Sequence, residues 1–289
     1  MRVGSRVARV TERREIAGLT CADWNPEATG PTVLALHGLT NTSEVWRALA
    51  SSRPDTRVIA PDLPGRGGSL TTKAGPGLAG HAAEVVRVAD ECGLDDVILV
   101  GHSMGGYLAP LVAAKLAGRV RALVLLDGGV LPEPRWTTRR PIVRALWTLW
   151  TRPLSRTFPD ASTFVDQVEG RALALRPDLR PRLEQWAAYL LDETGRPRVD
   201  LPRLIDDAVD TLAGRPTLPL LAELGVPVHV ILAEHDGDDS ARPFISDRGL
   251  AIGRDQLPRL TAERIAANHV TMLFHPAAGK AIAGREPRP

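Results

Sequence analysis

The sequence is short of most features that mark a special class of protein. Its 289 residues hold only two cysteines, Cys21 and Cys92, far apart and in no metal-ligand spacing. Neither a disulfide framework nor a cysteine metal site is therefore indicated. Acidic and basic residues almost cancel, and a formal net charge of +2 is too small a surplus for a nucleic-acid binder. Lysine is nearly missing, at Lys73, Lys115 and Lys280 only, so the positive charge is carried by arginine. No stretch approaches the ~20 apolar residues of a membrane span. The basic N-terminal segment lacks the apolar run of a secretory signal. These absences lead us to expect a soluble, cytoplasmic protein with no nucleic-acid or membrane partner. Its oligomeric state is not legible.

What is present suffices for a real core: 44% of residues are hydrophobic and 24% charged. Short apolar runs at 32–36, 57–60, 97–100 and 120–126 read as strands buried on both faces. Helical spacing separates them, at 43–52 (with Ser43 as N-cap), 80–92 and 107–117. One or two further strands are expected in 7–24. The alternation implies an α/β fold with a mostly parallel central sheet flanked by helices. After Asp127 the rhythm stops, and the next strand is expected only at 226–232. The intervening 131–215 is helical in pattern, since Ile142, Ala145, Leu146, Leu149 and Trp150 recur at helical spacing, as do Leu204, Ile205, Ala208 and Leu212. An inserted helical cap explains it better than a structureless loop of that length. The expected division is a core of 1–130 and 216–289 and a cap of 131–215. A helix near 244–250, a last strand near 262–267 and a helix from about Thr271 complete the core.

Gly101-His102-Ser103-Met104-Gly105 matches G-x-S-x-G, and it sits between an apolar strand and an apolar helix. That context is what a nucleophile elbow requires, because the tight turn lifts the serine hydroxyl above the sheet edge. Glycines on either side leave room where strand and helix nearly touch. Taken with His37-Gly38-Leu39, the loop Asp62-Leu63-Pro64-Gly65-Arg66-Gly67-Gly68-Ser69, a late acidic loop and a C-terminal histidine, the chain resembles a capped, serine-type α/β-hydrolase.

The resemblance implies a triad in the chain order nucleophile, acid, histidine. Ser103 is the nucleophile and His269, in Asn268-His269-Val270-Thr271, is the base in preference to His275. Asp236, in a loop that also holds Glu234, Asp238 and Asp239, takes the acid's usual place; Asp127, at the end of the fourth buried strand, is the alternative. The backbone N–H groups of Leu39 and Met104 would form the oxyanion hole. His37 and His102 read as structural members of their motifs, and Arg66 stands where relatives often carry histidine. Serine at the elbow argues against dehalogenase and epoxide-hydrolase chemistry.

Seven of the twelve aromatics fall in the inserted region. Among them Trp136, Trp147, Trp150 and Trp186 are candidates to line an apolar pocket, although the same side chains could simply pack the cap. The implied function is hydrolysis of a carboxylic ester or lactone of a medium-sized, largely apolar small molecule through an acyl-enzyme on Ser103. Carbon–carbon bond hydrolysis with the same triad, and a ligand receptor with little turnover, are the alternatives. No cofactor or metal is implied, because the 65–68 loop lacks the P-loop lysine and is too short for a dinucleotide fingerprint.

Overall fold

The computed structural model describes residues 10–130, 139–174, 176–213, 217–236, 243–257 and 259–284. The strands are β1 (Val10–Ile16), β2 (Leu19–Trp24), β3 (Thr32–Leu36), β4 (Arg57–Pro61), β5 (Val97–His102), β6 (Val120–Leu126), β7 (Val228–His235) and β8 (Leu260–Asn268). They form one eight-stranded sheet in the order β1-β2-β4-β3-β5-β6-β7-β8. β1, β2 and β4 are antiparallel neighbours, and every pairing from β4 through β8 is parallel. The expected mostly parallel α/β sheet is therefore observed. Central β5 is buried at all six positions, whereas β8 at the edge alternates buried and exposed residues. Burial on both faces is why the inner strands read as unbroken apolar runs.

Helices α1 (Arg47–Ser52), α2 (Gly77–Glu91) and α3 (Met104–Leu116) connect the first strands. α3 is buried almost all round, as a helix with no polar stripe must be. Between β6 and β7 run α4 (Arg140–Trp150), α5 (Ala161–Phe164), α6 (Arg180–Leu190) and α7 (Leu201–Ala213). α5 continues directly into a π-helical turn, Val165–Glu169. Phe158, Phe164, Leu183 and Trp186 of this segment join the same hydrophobic cluster as the sheet. The ends of the segment, 131–138 and 214–216, lie outside the described residues. α8 (Leu218–Leu224), α9 (Asp247–Gln256) and α10 (Ala277–Ala283) complete the chain.

Two local expectations are corrected. Ser43 does not cap its helix with its side chain: Thr42 precedes a 3-10 turn, Ser43–Trp46, and the Ser43 N–H donates to Asp62 Oδ1 at 2.7 Å. The helix placed at 244–250 begins instead at Asp247, where Ser246 Oγ accepts the N–H of Gly249 at 3.1 Å and serves as the N-cap.

Candidate active site

Four parallel strands end at one edge of the sheet, and each hands over to a candidate residue at the next position. β5 is followed by Ser103, β6 by Asp127, β7 by Asp236 and β8 by His269, while β3 leads into His37, Gly38 and Leu39. Register keeps these ends level, with Leu36 beside Gly101, His102 beside Leu126, Leu126 beside Ile231 and His235 beside Asn268. Reactive groups in open α/β sheets collect at this carboxyl edge.

Ser103 occupies the elbow in a strained conformation, φ 52° and ψ −119°, which non-glycine residues rarely adopt. The strain is held by hydrogen bonds: Ser103 N–H donates to Leu126 O at 2.9 Å, and Gly106 N–H donates to Ser103 O at 2.9 Å. Glycine is obligatory at 105, since a Cβ there would run into the carbonyl of Leu36.

His269 Nδ1 lies 2.9 Å from Asp127 Oδ2, and the Asp127 side chain is fully buried. The carboxylate brought onto the imidazole is thus the alternative, Asp127, rather than Asp236. Asp127 itself has a positive φ of 46°, and its Oδ1 accepts the N–H of Ala233 at 3.3 Å. Asp236 lines the cavity in front of His269, and its charge reaches the ring without the Nδ1 hydrogen bond. Glu234 is exposed on β7, and Asp238 and Asp239 lie outside the described residues. Burial alone would depress the His269 pKa. The hydrogen bond and charge of Asp127, with smaller help from Asp236 and Glu169, outweigh that and raise it above its usual value.

The ring is also braced. His102 Nε2 donates to His269 O at 2.9 Å, and the rings of His102 and Phe244 each lie 4.8 Å from that of His269. Burial and the neighbouring His269 hold the pKa of His102 well below the usual histidine value, so it acts as a neutral strut.

His37 sets the loop after β3. Leu63 N–H donates to His37 Nε2 at 2.9 Å, which leaves the proton on Nδ1 to donate to Gly38 O at 2.7 Å. Burial pushes the His37 pKa down to about 3, so this tautomer persists across the working pH range. The Gly38 carbonyl and the Leu39 N–H belong to one trans peptide and point in opposite directions. Anchoring the one therefore aims the other.

Sequence reasoning missed a buried ionic cluster behind this loop. Arg66, with no exposed side-chain surface, donates through Nε to Leu39 O (3.1 Å) and through Nη1 to Pro64 O (2.9 Å) and Asp207 Oδ2 (2.5 Å). His81 Nε2 donates to the same Asp207 oxygen at 2.9 Å. Arg66 comes from the loop after β4, His81 from α2 and Asp207 from α7, so the cluster ties the helical segment to the sheet. Asp62 makes a second tie: its buried carboxylate accepts Ser43 N–H, Gly68 N–H and, at 2.5 Å, the Tyr189 hydroxyl of α6. Only the arginine in place of histidine hinted at any of this.

A sequence profile described as "Alpha/beta hydrolase family" matches residues 33–283. The chain belongs to the alpha/beta hydrolase family. This hydrolase is similar to Lipase LipV of Mycobacterium tuberculosis, 38% identical over 103 residues, 35% of this chain and 39% of the lipase. It is also similar to 2-succinyl-6-hydroxy-2,4-cyclohexadiene-1-carboxylate synthase of Serratia proteamaculans, 26% identical over 212 residues, 63% of this chain and 83% of the synthase. The matched stretch is thus well under half the length of the lipase. Among solved structures, E-2-(acetamidomethylene)succinate hydrolase superposes with a TM-score of 0.76 over 95% of this chain and 98% of the other. At 22% identity that likeness speaks to the fold alone.

In this alpha/beta hydrolase Ser103, His269, Leu39 and Met104 all line one cavity of about 1000 Å³. That volume is at the upper end of small-molecule sites. Among the described residues nothing accepts a hydrogen bond from the amide of Leu39 or of Met104. Trp147, Trp150 and Trp186 line the cavity, and Trp136 lies outside the described residues. Trp186 is buried against Phe164, with ring centroids 5.8 Å apart, whereas Trp150 is 61% exposed at the rim. No group of side chains suited to a metal ion occurs among the described residues. Nor is any described helix long and apolar enough to cross a membrane.

Proposed function

We propose that this alpha/beta hydrolase is a serine esterase that cleaves a carboxylic ester or lactone of a medium-sized, largely apolar small molecule. The observation that carries this reading is the contact of buried Asp127 with His269, which lines the same cavity as the strained Ser103. His269 takes the Ser103 proton at Nε2 as Oγ attacks the carbonyl carbon, and Asp127 keeps the other ring proton on Nδ1 and stabilises the imidazolium. The tetrahedral oxyanion is received by the N–H groups of Leu39 and Met104; each such donor is worth ~10²–10³ in turnover. His269 then protonates the leaving alkoxide, and water, deprotonated by the same ring, releases the acid from the acyl-enzyme. The helices of 140–213 act as a cap: Trp147, Trp186 and Phe164 supply an apolar wall for the acyl or alcohol part. The likeness of a stretch of the chain to a lipase supports ester chemistry.

The test is hydrolysis of p-nitrophenyl esters from acetate to decanoate by the wild type and by Ser103→Ala. We expect turnover that peaks at an intermediate chain length and disappears in the variant. Equal rates in both proteins would remove Ser103 from the mechanism.

A further inference from the structure

The cavity contains an ionisable side chain that makes no hydrogen bond to Ser103 or His269 and acts on the histidine only by its charge. Glu169 closes the π-helical turn after α5 and lines the cavity together with Ser103 and His269. Such turns interrupt an α-helix at some cost and recur at functional sites. Its backbone is indexed to the catalytic histidine. Asn268, the residue before His269, donates through Nδ2 to Ala172 O at 2.8 Å, and Leu173 N–H donates to Glu169 O at 3.3 Å. Among the described residues the Glu169 carboxylate has no hydrogen bond and no ion pair. The cation that could have served, Arg171, lines the same cavity but is exposed and makes no ion pair with it. Asp166, the nearest acidic neighbour on the turn, is held by Arg180.

We propose that Glu169 is the specificity-determining residue of an ammonium subsite, so that the preferred substrate carries a protonated amine, ion-paired to this carboxylate, beside the ester cleaved at Ser103. The proposal rests on the serine-hydrolase reading only for where the ester lies.

The argument is one of electrostatic complementarity. Burial raises the Glu169 pKa to about 7, against the opposing charge of His269. The folded protein thus keeps a partly buried carboxylate that has no hydrogen-bond or ion-pair partner among the described residues. A neutral apolar ligand would desolvate it further, and an anion would meet both Glu169 and Asp236 in the same cavity. A cation supplies the missing partner, and the faces of Trp147, Phe164 and Trp186 in the surrounding wall tolerate positive charge.

The probes are 4-phenylbutylammonium and 4-phenylbutanol, matched in shape and differing in charge. Their binding to Ser103→Ala is measured by calorimetry at about pH 8.5, where the carboxylate is ionised and the amine still protonated. We expect the ammonium to bind at least about tenfold more tightly than the alcohol, and Ser103→Ala/Glu169→Gln to lose that preference while holding the alcohol equally well. A ratio near one, no binding of either compound, or a preference that survives Glu169→Gln overturns the proposal. The ratio in the Glu169-bearing protein needs no further variant, so a poorly folded double variant leaves a decisive measurement. Because binding is read without turnover, failure of ester hydrolysis and failure of this subsite are separate results.

Discussion

Replacing Asp127 by asparagine separates the two acids that the sequence offers. Asparagine is nearly the same size, so the buried site keeps its packing, and Ala233 N–H can still donate to a side-chain oxygen there. What is lost is the negative charge 2.9 Å from His269 Nδ1. An amide N–H turned towards Nδ1 would hold the ring in the wrong tautomer, with its proton on Nε2 facing Ser103. In serine proteases the equivalent change lowers kcat by about 10⁴, which is roughly 5 kcal/mol of transition-state stabilisation. Asp236 raises the His269 pKa by its charge while the Nδ1 hydrogen bond goes to Asp127, so Asp236→Asn should cost less than about tenfold. The assay is kcat on the best p-nitrophenyl ester, with circular dichroism to show that both variants are folded. A profound loss in Asp236→Asn beside a mild one in Asp127→Asn would refute the assignment.

Three further outcomes follow from the same geometry. The His269 imidazole, followed by proton NMR in Ser103→Ala, should titrate above the ordinary histidine range; adding Asp127→Asn should bring it down, because the burial that remains favours the neutral ring. Since a pKa raised by a partner stabilises the fold at low pH and ceases to do so as pH rises through it, that contribution should fade above neutrality. Asp207→Asn should destabilise the fold by about 3 kcal/mol in urea unfolding, because it leaves the Arg66 guanidinium buried without its counter-charge. Glu169→Gln should be indistinguishable from wild type in thermal unfolding at pH 3, where glutamate is protonated in both states. At pH 8 it should be more stable by on the order of 2 kcal/mol, because a carboxyl whose folded pKa is about 7 opposes folding once it must ionise.

The sheet was legible because fully buried parallel strands leave continuous apolar runs, and β3, β5 and β6 were placed within two residues. The elbow and the histidine were legible because each depends on its immediate neighbours. The acid was not, and the reason is topological. β6 and β7 are adjacent and in register, so Asp127 and Asp236, each one step past its strand, arrive at the same edge with nothing local to rank them. Their difference lies in burial and in the reach to His269, which for Asp127 is a contact across 142 positions of the chain. The same holds for the cluster of Arg66, His81 and Asp207, which joins positions 141 apart in the chain. Glu169 gave no signal because an unpaired cavity carboxylate and a solvated surface glutamate look alike in sequence.

The ties from α6 and α7 to the loop after β4 divide the helical segment into two kinds of real estate for an engineer. Gly67 N–H donates to Arg198 O at 2.9 Å and Asp200 N–H to Gly65 O at 2.8 Å, so the 198–207 stretch is stitched to the loop whose Arg66 grips the Leu39 carbonyl. Substitutions there propagate to the Leu39 peptide, the oxyanion donor of the proposed mechanism, and should affect every substrate alike. Among the described residues α4 makes no such hydrogen bond to the loop after β4. Leu146, Leu149 and Trp150 are exposed along it, and its described side-chain ion pair, Arg144 with Asp206, is at the surface. A library confined to α4 can therefore redraw the entrance to the cavity while the loop that holds Leu39 stays fixed.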